Sequence, residues 1–181
     1  NLYNFQETSL DELKDNRYNV ILKSRQLGIS TLTAGYALWC MLFKEDFNTL
    51  VIATTQEVAK NLVTKVRIMH DNLPSWLKGN IEADNKLSLK FKNGSQIKAV
   101  SSATTGARSE ALSLLIVDEA AFVRNFDTIW TGIYPTISTG GRVIILSTPN
   151  GVGGQYYKLF TEAESGLNEF NGIRLPWNVH P

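Results

Sequence analysis

Asn19-Val20-Ile21-Leu22-Lys23-Ser24-Arg25-Gln26-Leu27-Gly28-Ile29-Ser30-Thr31 passes from an apolar run, through a polar turn containing one glycine, into a long apolar segment, Leu32 to Phe43. Strand, tight loop and helix in that order are the setting of a phosphate-binding loop. Its backbone N–H groups and the start of the next helix point at a polyanion. The pattern departs from G-x-x-x-x-G-K-[ST] at two places. Aligned on Gly28 and Ser30, the first glycine position holds Lys23 and the lysine position holds Ile29. A helix N-terminus contributes only about 0.3–1 kcal/mol toward an anion. One cation at about 4 Å contributes roughly 4 kcal/mol at an intermediate dielectric. A triphosphate cradle therefore needs an ammonium group, and Lys23, at the mouth of the same loop, has a stem long enough to fold back over it. The alternative is an ordinary strand–helix turn with Lys23 on the surface.

Working outward, the chain of 181 residues suits one domain with a substantial core. Hydrophobic residues make up 43% and charged residues 19%, as in a soluble globular protein. A net charge of +1 means that any nucleic-acid surface must be a local patch. The single cysteine, Cys40, excludes an intrachain disulfide and fits a reducing compartment. The longest apolar run is too short to cross a membrane, and no membrane partner is expected.

Ser9 and Glu12 have the spacing of a capping box, which predicts a short helix from Leu10 to Asn16. Val20 to Leu22 and Thr49 to Ala53 read as buried strands. Ser30 to Phe43, apolar nearly all round, reads as a helix packed on a sheet. A second capping box, Thr54 and Glu57, opens a helix with Val58, Leu62, Val66 and Met69 on one stripe. Its Lys60, Lys65 and Arg67 read as a solvated face, with DNA contact as the alternative. Leu87 to Phe91 and Gln96 to Val100 alternate strictly about Asn93-Gly94, a β-hairpin. Ser101 to Ser109 reads as a loop and holds Arg108. Leu114 to Val117 and Val143 to Leu146 are continuous apolar runs that suit central parallel strands. Helices are expected from about Asp127 to Ile137, where Pro135 blurs the end, and from Gln155 to Glu164. A last strand is expected from Phe170 to Leu175. The alternation predicts an α/β fold with an open, mostly parallel sheet flanked by helices and carrying a hairpin insertion.

In such sheets ligands bind at the carboxyl ends of the strands. Three apolar strands end in chemistry: the Lys23–Ser30 loop, Asp118-Glu119 and Ser147-Thr148. Two carboxylates at a strand end suit Mg²⁺·ATP. Ser30 would bind the ion directly, Asp118 would orient it, and Glu119 would position or deprotonate the attacking water. Ser147-Thr148 could sense the γ-phosphate, or simply close a turn.

Phe5-Gln6, Ser24 to Gly28, Val117 to Phe122 and Ser147-Thr148-Pro149-Asn150-Gly151 together resemble the ATPase domain of the large terminase subunit of tailed bacteriophages, from about Tyr3 to His180. The resemblance implies a P-loop NTPase with an additional catalytic Glu (ASCE type). In that fold the strand before Ser147 inserts between those before Lys23 and Asp118. It further implies that Gln6 contacts adenine. Lys23, Ser24, Arg25, Gln26, Leu27, Gly28, Ile29, Ser30 and Thr31 would form the ATP-binding loop. Asp118 and Glu119 would be the Walker B pair, and Ser147 to Gly151 would couple hydrolysis to movement. Arg25 would contact phosphate in cis, and Arg108 would reach a neighbouring subunit's site as an arginine finger. Ile29 departs from the commoner pattern. Some members are similar to this chain in carrying the lysine at the front of the loop, as Lys23.

The function implied is Mg²⁺-dependent ATP hydrolysis that drives double-stranded DNA into a procapsid. The setting is a homo-oligomeric ring with the portal and the small terminase subunit, in the host cytoplasm. A helicase-like DNA translocase is the alternative that the Thr-Pro-Asn-Gly stretch disfavours. A non-hydrolysing nucleotide-binding assembly module is the alternative that Glu119 disfavours. No spaced acidic cluster follows Asn150, so residues 1–181 are expected to form a single ATPase domain without the nuclease domain of the family, and without DNA cleavage.

Overall fold

The computed structural model describes residues 2–101, 111–138 and 140–180. Eight strands form one sheet. In chain order they are β1 (Tyr18–Lys23), β2 (Asn48–Ala53), β3 (Ile81–Asn85), β4 (Ser88–Phe91), β5 (Gln96–Ser101), β6 (Leu114–Asp118), β7 (Arg142–Ser147) and β8 (Asn171–Leu175). The spatial order is β3-β4-β5-β2-β6-β7-β1-β8. From β5 to β8 every pairing is parallel, and β3-β4-β5 is antiparallel. The expected hairpin is thus β4–β5, extended by β3, a fully exposed edge strand with no apolar alternation to announce it. The Asn93-Gly94 turn is built as anticipated. Gly94 has φ +83°, and Asn93 Oδ1 accepts the Ser95 amide at 3.0 Å.

The helices are α1 (Asn4–Asp15), α2 (Ile29–Phe43), α3 (Gln56–Asp71), α4 (Phe126–Ser138) and α5 (Gly154–Glu164). Leu13 of α1, with α2 and α3, covers one face of the sheet, where Ile21, Val51, Ile116 and Leu146 are buried. Phe126, Ile133 and Ile137 of α4, with Tyr156, Leu159 and Phe160 of α5, cover the other, over Val20, Ile52, Val117 and Ile145. Alternate residues of each central strand serve opposite cores, which is why those strands read as unbroken apolar runs.

Two helix starts differ from expectation. α1 begins at Asn4, well before Leu10, because Gln6 Oε1 accepts the Tyr3 amide at 3.1 Å and caps the first turn. Ser9 sits inside the helix and donates to Phe5 O. For α3 the cap is Thr55 rather than Thr54, accepting the Val58 amide at 3.3 Å. Pro135 lies inside α4, within its last turn. At the sheet end opposite the β1–α2 loop, the Arg142 guanidinium donates to Leu13 O, Lys14 O and Asn16 O, closing α1. Arg17 does the same for α4, through Ile137 O and Ser138 O.

Candidate nucleotide site

The sheet order puts β7 between β6 and β1, so Asp118, Ser147 and Lys23 end three adjacent strands. Register aligns them: Leu22 lies opposite Ser147, and Leu146 opposite Asp118. β1 then leaves the sheet as a loop in which Gln26 (φ +62°) and Gly28 (φ +73°) adopt left-handed conformations before α2 starts. A Cβ at Gly28 would be strained at this φ and would lie 2.8 Å from Gln6 Nε2, so any other residue would have to push the Gln6 amide aside.

Lys23 does not point to solvent. It is 8% exposed, and its Nζ lies 2.8 Å from Glu119 Oε1. The Ser30 hydroxyl donates to Asp118 Oδ1 at 3.2 Å, and that oxygen also accepts the Glu119 amide at 3.0 Å. Glu119 itself has φ +53°, a strained conformation for a residue with a Cβ. Its other oxygen accepts from the Thr148 hydroxyl at 3.1 Å, the Thr148 amide at 3.3 Å and the Ser147 hydroxyl at 3.5 Å. Glu119 is therefore clamped between the front of the β1–α2 loop and the end of β7. Asn150 donates to Ala121 O at 3.0 Å, and Pro149 and Gly151 lie in the irregular segment that follows β7.

Charge follows burial. Burial pushes the Asp118 carboxyl above its ordinary range, against the lowering pull of the Ser30 hydrogen bond and the Lys23 charge. Burial also acts upward on Glu119, but the Lys23 ammonium and the Thr148 donors outweigh it and hold that carboxyl below its ordinary range. The ionised form of Glu119 is thus the one its partners favour.

Ile29, at the usual lysine position, is 1% exposed and belongs to the core under α2. Arg25 is exposed at the loop. Gln6 donates through Nε2 to Leu27 O at 2.9 Å, so its amide braces both α1 and the loop. Arg108 lies outside the described residues. A polar cleft of about 230 Å³ is lined by the loop and by Lys65 of α3, a residue the sequence reading left on a solvated face. No spacing signal marked Lys65: it sits in the third turn of α3 (Gln56–Asp71), and its approach follows from how α3 packs beside α2. A second, mainly apolar cavity of about 610 Å³ runs between α1 and α2 and meets the first at Gly28 and Thr31, with Gln6 at the join. Among the described residues no group of three or more His, Cys, Asp or Glu could hold a metal ion. Ser30 with Asp118 instead fits an ion such as Mg²⁺, which takes one or two protein ligands and completes its shell with phosphate oxygens and water.

The family described as the T4likevirus-type terminase large subunit, N-terminal, matches residues 20–177. Among solved structures, the ATPase domain of the Thermus phage P74-26 large terminase superimposes with a TM-score of 0.72 at 22% identity, covering 91% of this chain and 78% of that one. The HK97 bacteriophage large terminase gives 0.76 at 18% identity, covering 97% of this chain and 39% of that one. A large terminase from a thermophilic bacteriophage, solved in complex with ATP-γ-S, gives 0.74 at 13% identity, covering 97% and 44%. The chain thus spans less than half the length of the latter two terminases. A match over nearly all of the chain, with the sheet order and loop just described, places it among the N-terminal domains of the large terminase subunits.

Proposed function

We propose that this domain hydrolyses ATP and that the energy drives double-stranded DNA into a viral procapsid. The observation that carries the reading is the meeting, at one sheet edge, of the Lys23–Glu119 ion pair with the Ser30–Asp118 hydrogen bond. Glu119 orients the attacking water and takes its proton as the β–γ phosphoanhydride bond breaks. ADP and phosphate are the products. Lys23 holds the Glu119 carboxylate and presents an ammonium to the terminal phosphate. The loop amides and the start of α2 cradle the remaining oxygens. Ser30 and Asp118 would hold Mg²⁺, which when bound neutralises charge on the β- and γ-phosphates. Gln6 and the apolar cavity beyond Gly28 suit the adenine end.

The coupling reading rests on Thr148. Its hydroxyl and amide touch the carboxylate that positions the water, so a change at the γ-phosphate alters the end of β7 directly. In a homo-oligomeric ring docked on the portal, with the small terminase subunit supplying DNA, Arg108 would complete a neighbour's site. Relatives that are large terminases, one of them solved with ATP-γ-S, support this reading.

The test is ATP turnover by the wild-type chain and by Lys23→Ala, Ile29→Ala and Glu119→Gln. Loss in the first and third, with turnover kept in the second, is expected. Unaltered turnover in Lys23→Ala refutes the lysine assignment, and no Mg²⁺-dependent turnover at any protein concentration refutes the function. For Arg108, mixing Arg108→Ala with Glu119→Gln should recover activity; no recovery excludes action between subunits.

A further inference from the structure

We propose that Lys65 is a second polyphosphate-binding cation of this site, reaching the cradle from α3 and taking up the charge that Ile29 cannot supply. The inference rests on the nucleotide reading above and names a residue outside the loop and the two strand-end motifs.

The cleft over the loop is lined, among the described residues, by two cations, Lys23 and Lys65. Lys23 is already opposed by Glu119 at 2.8 Å, so its charge is shared before any ligand arrives. A Mg²⁺-bound triphosphate still carries net negative charge, and the hydroxyls of Ser24, Ser30 and Thr31 are neutral. Ile29 faces the core. Arg25 is exposed at the loop and does not line the cleft, so among the described residues Lys65 is the second cation there.

Lys65 has the place and the freedom. α2 and α3 follow the parallel strands β1 and β2 and pack side by side. A Cβ on Gly35 would lie 3.7 Å from Met69 Sδ, in ordinary contact. Thr31 lies one turn before Gly35, and Lys65 one turn before Met69. The same helix contact therefore carries Lys65 to the mouth of the loop, where Thr31 also lines the cleft. The other basic residues of α3 are engaged: Lys60 pairs with Glu57 at 3.3 Å, and Arg67 pairs with Asp84 at 2.7 Å and also donates to Asn85 O. Lys65, a partly buried residue, has no hydrogen bond or ion pair among the described residues. A lysine that lines a polar cleft and has no carboxylate partner is suited to an anion that comes and goes.

The experiment is equilibrium binding of ATP-γ-S with Mg²⁺, and of a duplex DNA, to the chain and to Lys65→Met, Lys65→Arg and Lys60→Ala. Methionine keeps the stem and its packing but removes the charge, and circular dichroism checks each fold. Lys65→Met should bind ATP-γ-S at least tenfold more weakly, about 1.4 kcal/mol. Lys65→Arg should stay within about threefold of wild type, and Lys60→Ala should be unchanged. Lys65→Met binding ATP-γ-S as wild type does overturns the inference while leaving the proposed function standing, and a loss confined to duplex DNA does the same. Failure of the wild-type chain itself to bind ATP-γ-S removes the nucleotide reading and this inference with it.

Discussion

Lys23 Nζ and Glu119 Oε1, 96 residues apart in sequence, lie 2.8 Å apart across the end of β7. The contact joins the front of the β1–α2 loop to the carboxylate that faces it. Removing either partner leaves the other partly buried without its counter-charge, so the two substitutions are coupled. Lys23→Ala and Glu119→Gln should each lower the rate of ATP hydrolysis by about 10²–10⁴-fold. The double variant should be far less impaired than the product of the two losses. Steady-state turnover of the three variants checks this, and multiplicative losses would show that the pair does not act as a unit.

Ile29→Ala should cost about 2–5 kcal/mol of stability, because the side chain is buried in the core beneath α2. The thermal midpoint should fall by several degrees. Turnover below that midpoint should change by less than about threefold, since the side chain faces away from the cradle. Thermal denaturation beside kcat separates the two effects.

Thr148→Val removes one donor to Glu119 Oε2 while keeping side-chain shape. The expected result is a kcat lowered by about tenfold with little change in KM, the pattern of an interaction that orients the base rather than one that binds nucleotide. An unchanged kcat would show that the Lys23 contact alone suffices to hold Glu119.

Asp118→Asn should stabilise the nucleotide-free chain in a chelating buffer. Burial raises the folded-state pKa of this carboxyl above its unfolded value, so its contribution to stability is present at low pH and is lost as pH rises through the folded value. Asparagine can accept the same two hydrogen bonds, from Ser30 and the Glu119 amide, without the buried charge. Its thermal midpoint should exceed that of wild type at pH 8, with the difference shrinking as pH falls toward the carboxylate range, while ATP turnover is lost.

Arg142→Ala should destabilise the fold by about 1.5–3 kcal/mol through loss of charged donors to three carbonyls at the end of α1. Because this cap lies at the sheet end remote from the loop, KM for ATP should not change. Chemical denaturation with parallel kinetics checks both.

The central sheet was legible because its strands are buried on both faces, and Val20–Leu22, Leu114–Val117 and Val143–Leu146 carry no polar interruption. β3 was not: it is exposed throughout and held by pairing with β4, which leaves no mark in hydropathy. The true start of α1 was hidden because its cap is made by Gln6 reaching back to Tyr3, whereas Ser9-x-x-Glu12 offered a more familiar signal. Residue types and spacing pointed to Lys23, Ser30, Asp118 and Glu119. The closeness of Thr148 to Glu119, the bracing of the loop by Gln6 and the approach of Lys65 depend on which elements pack together, and one-dimensional spacing does not report that.

Strand β7 is hydrogen-bonded along both edges, to β6 and to β1. Sliding it by a single residue would break two ladders at once and turn its buried side chains to the wrong core, so it serves as a stator rather than a piston. On the proposed function, a stroke relayed from Glu119 would leave through the segment beyond it. There Gly151 and Gly153 stand between Thr148 and α5, and Gly154 opens that helix, all three at positive φ, so a pivot at this segment would not drag the sheet along.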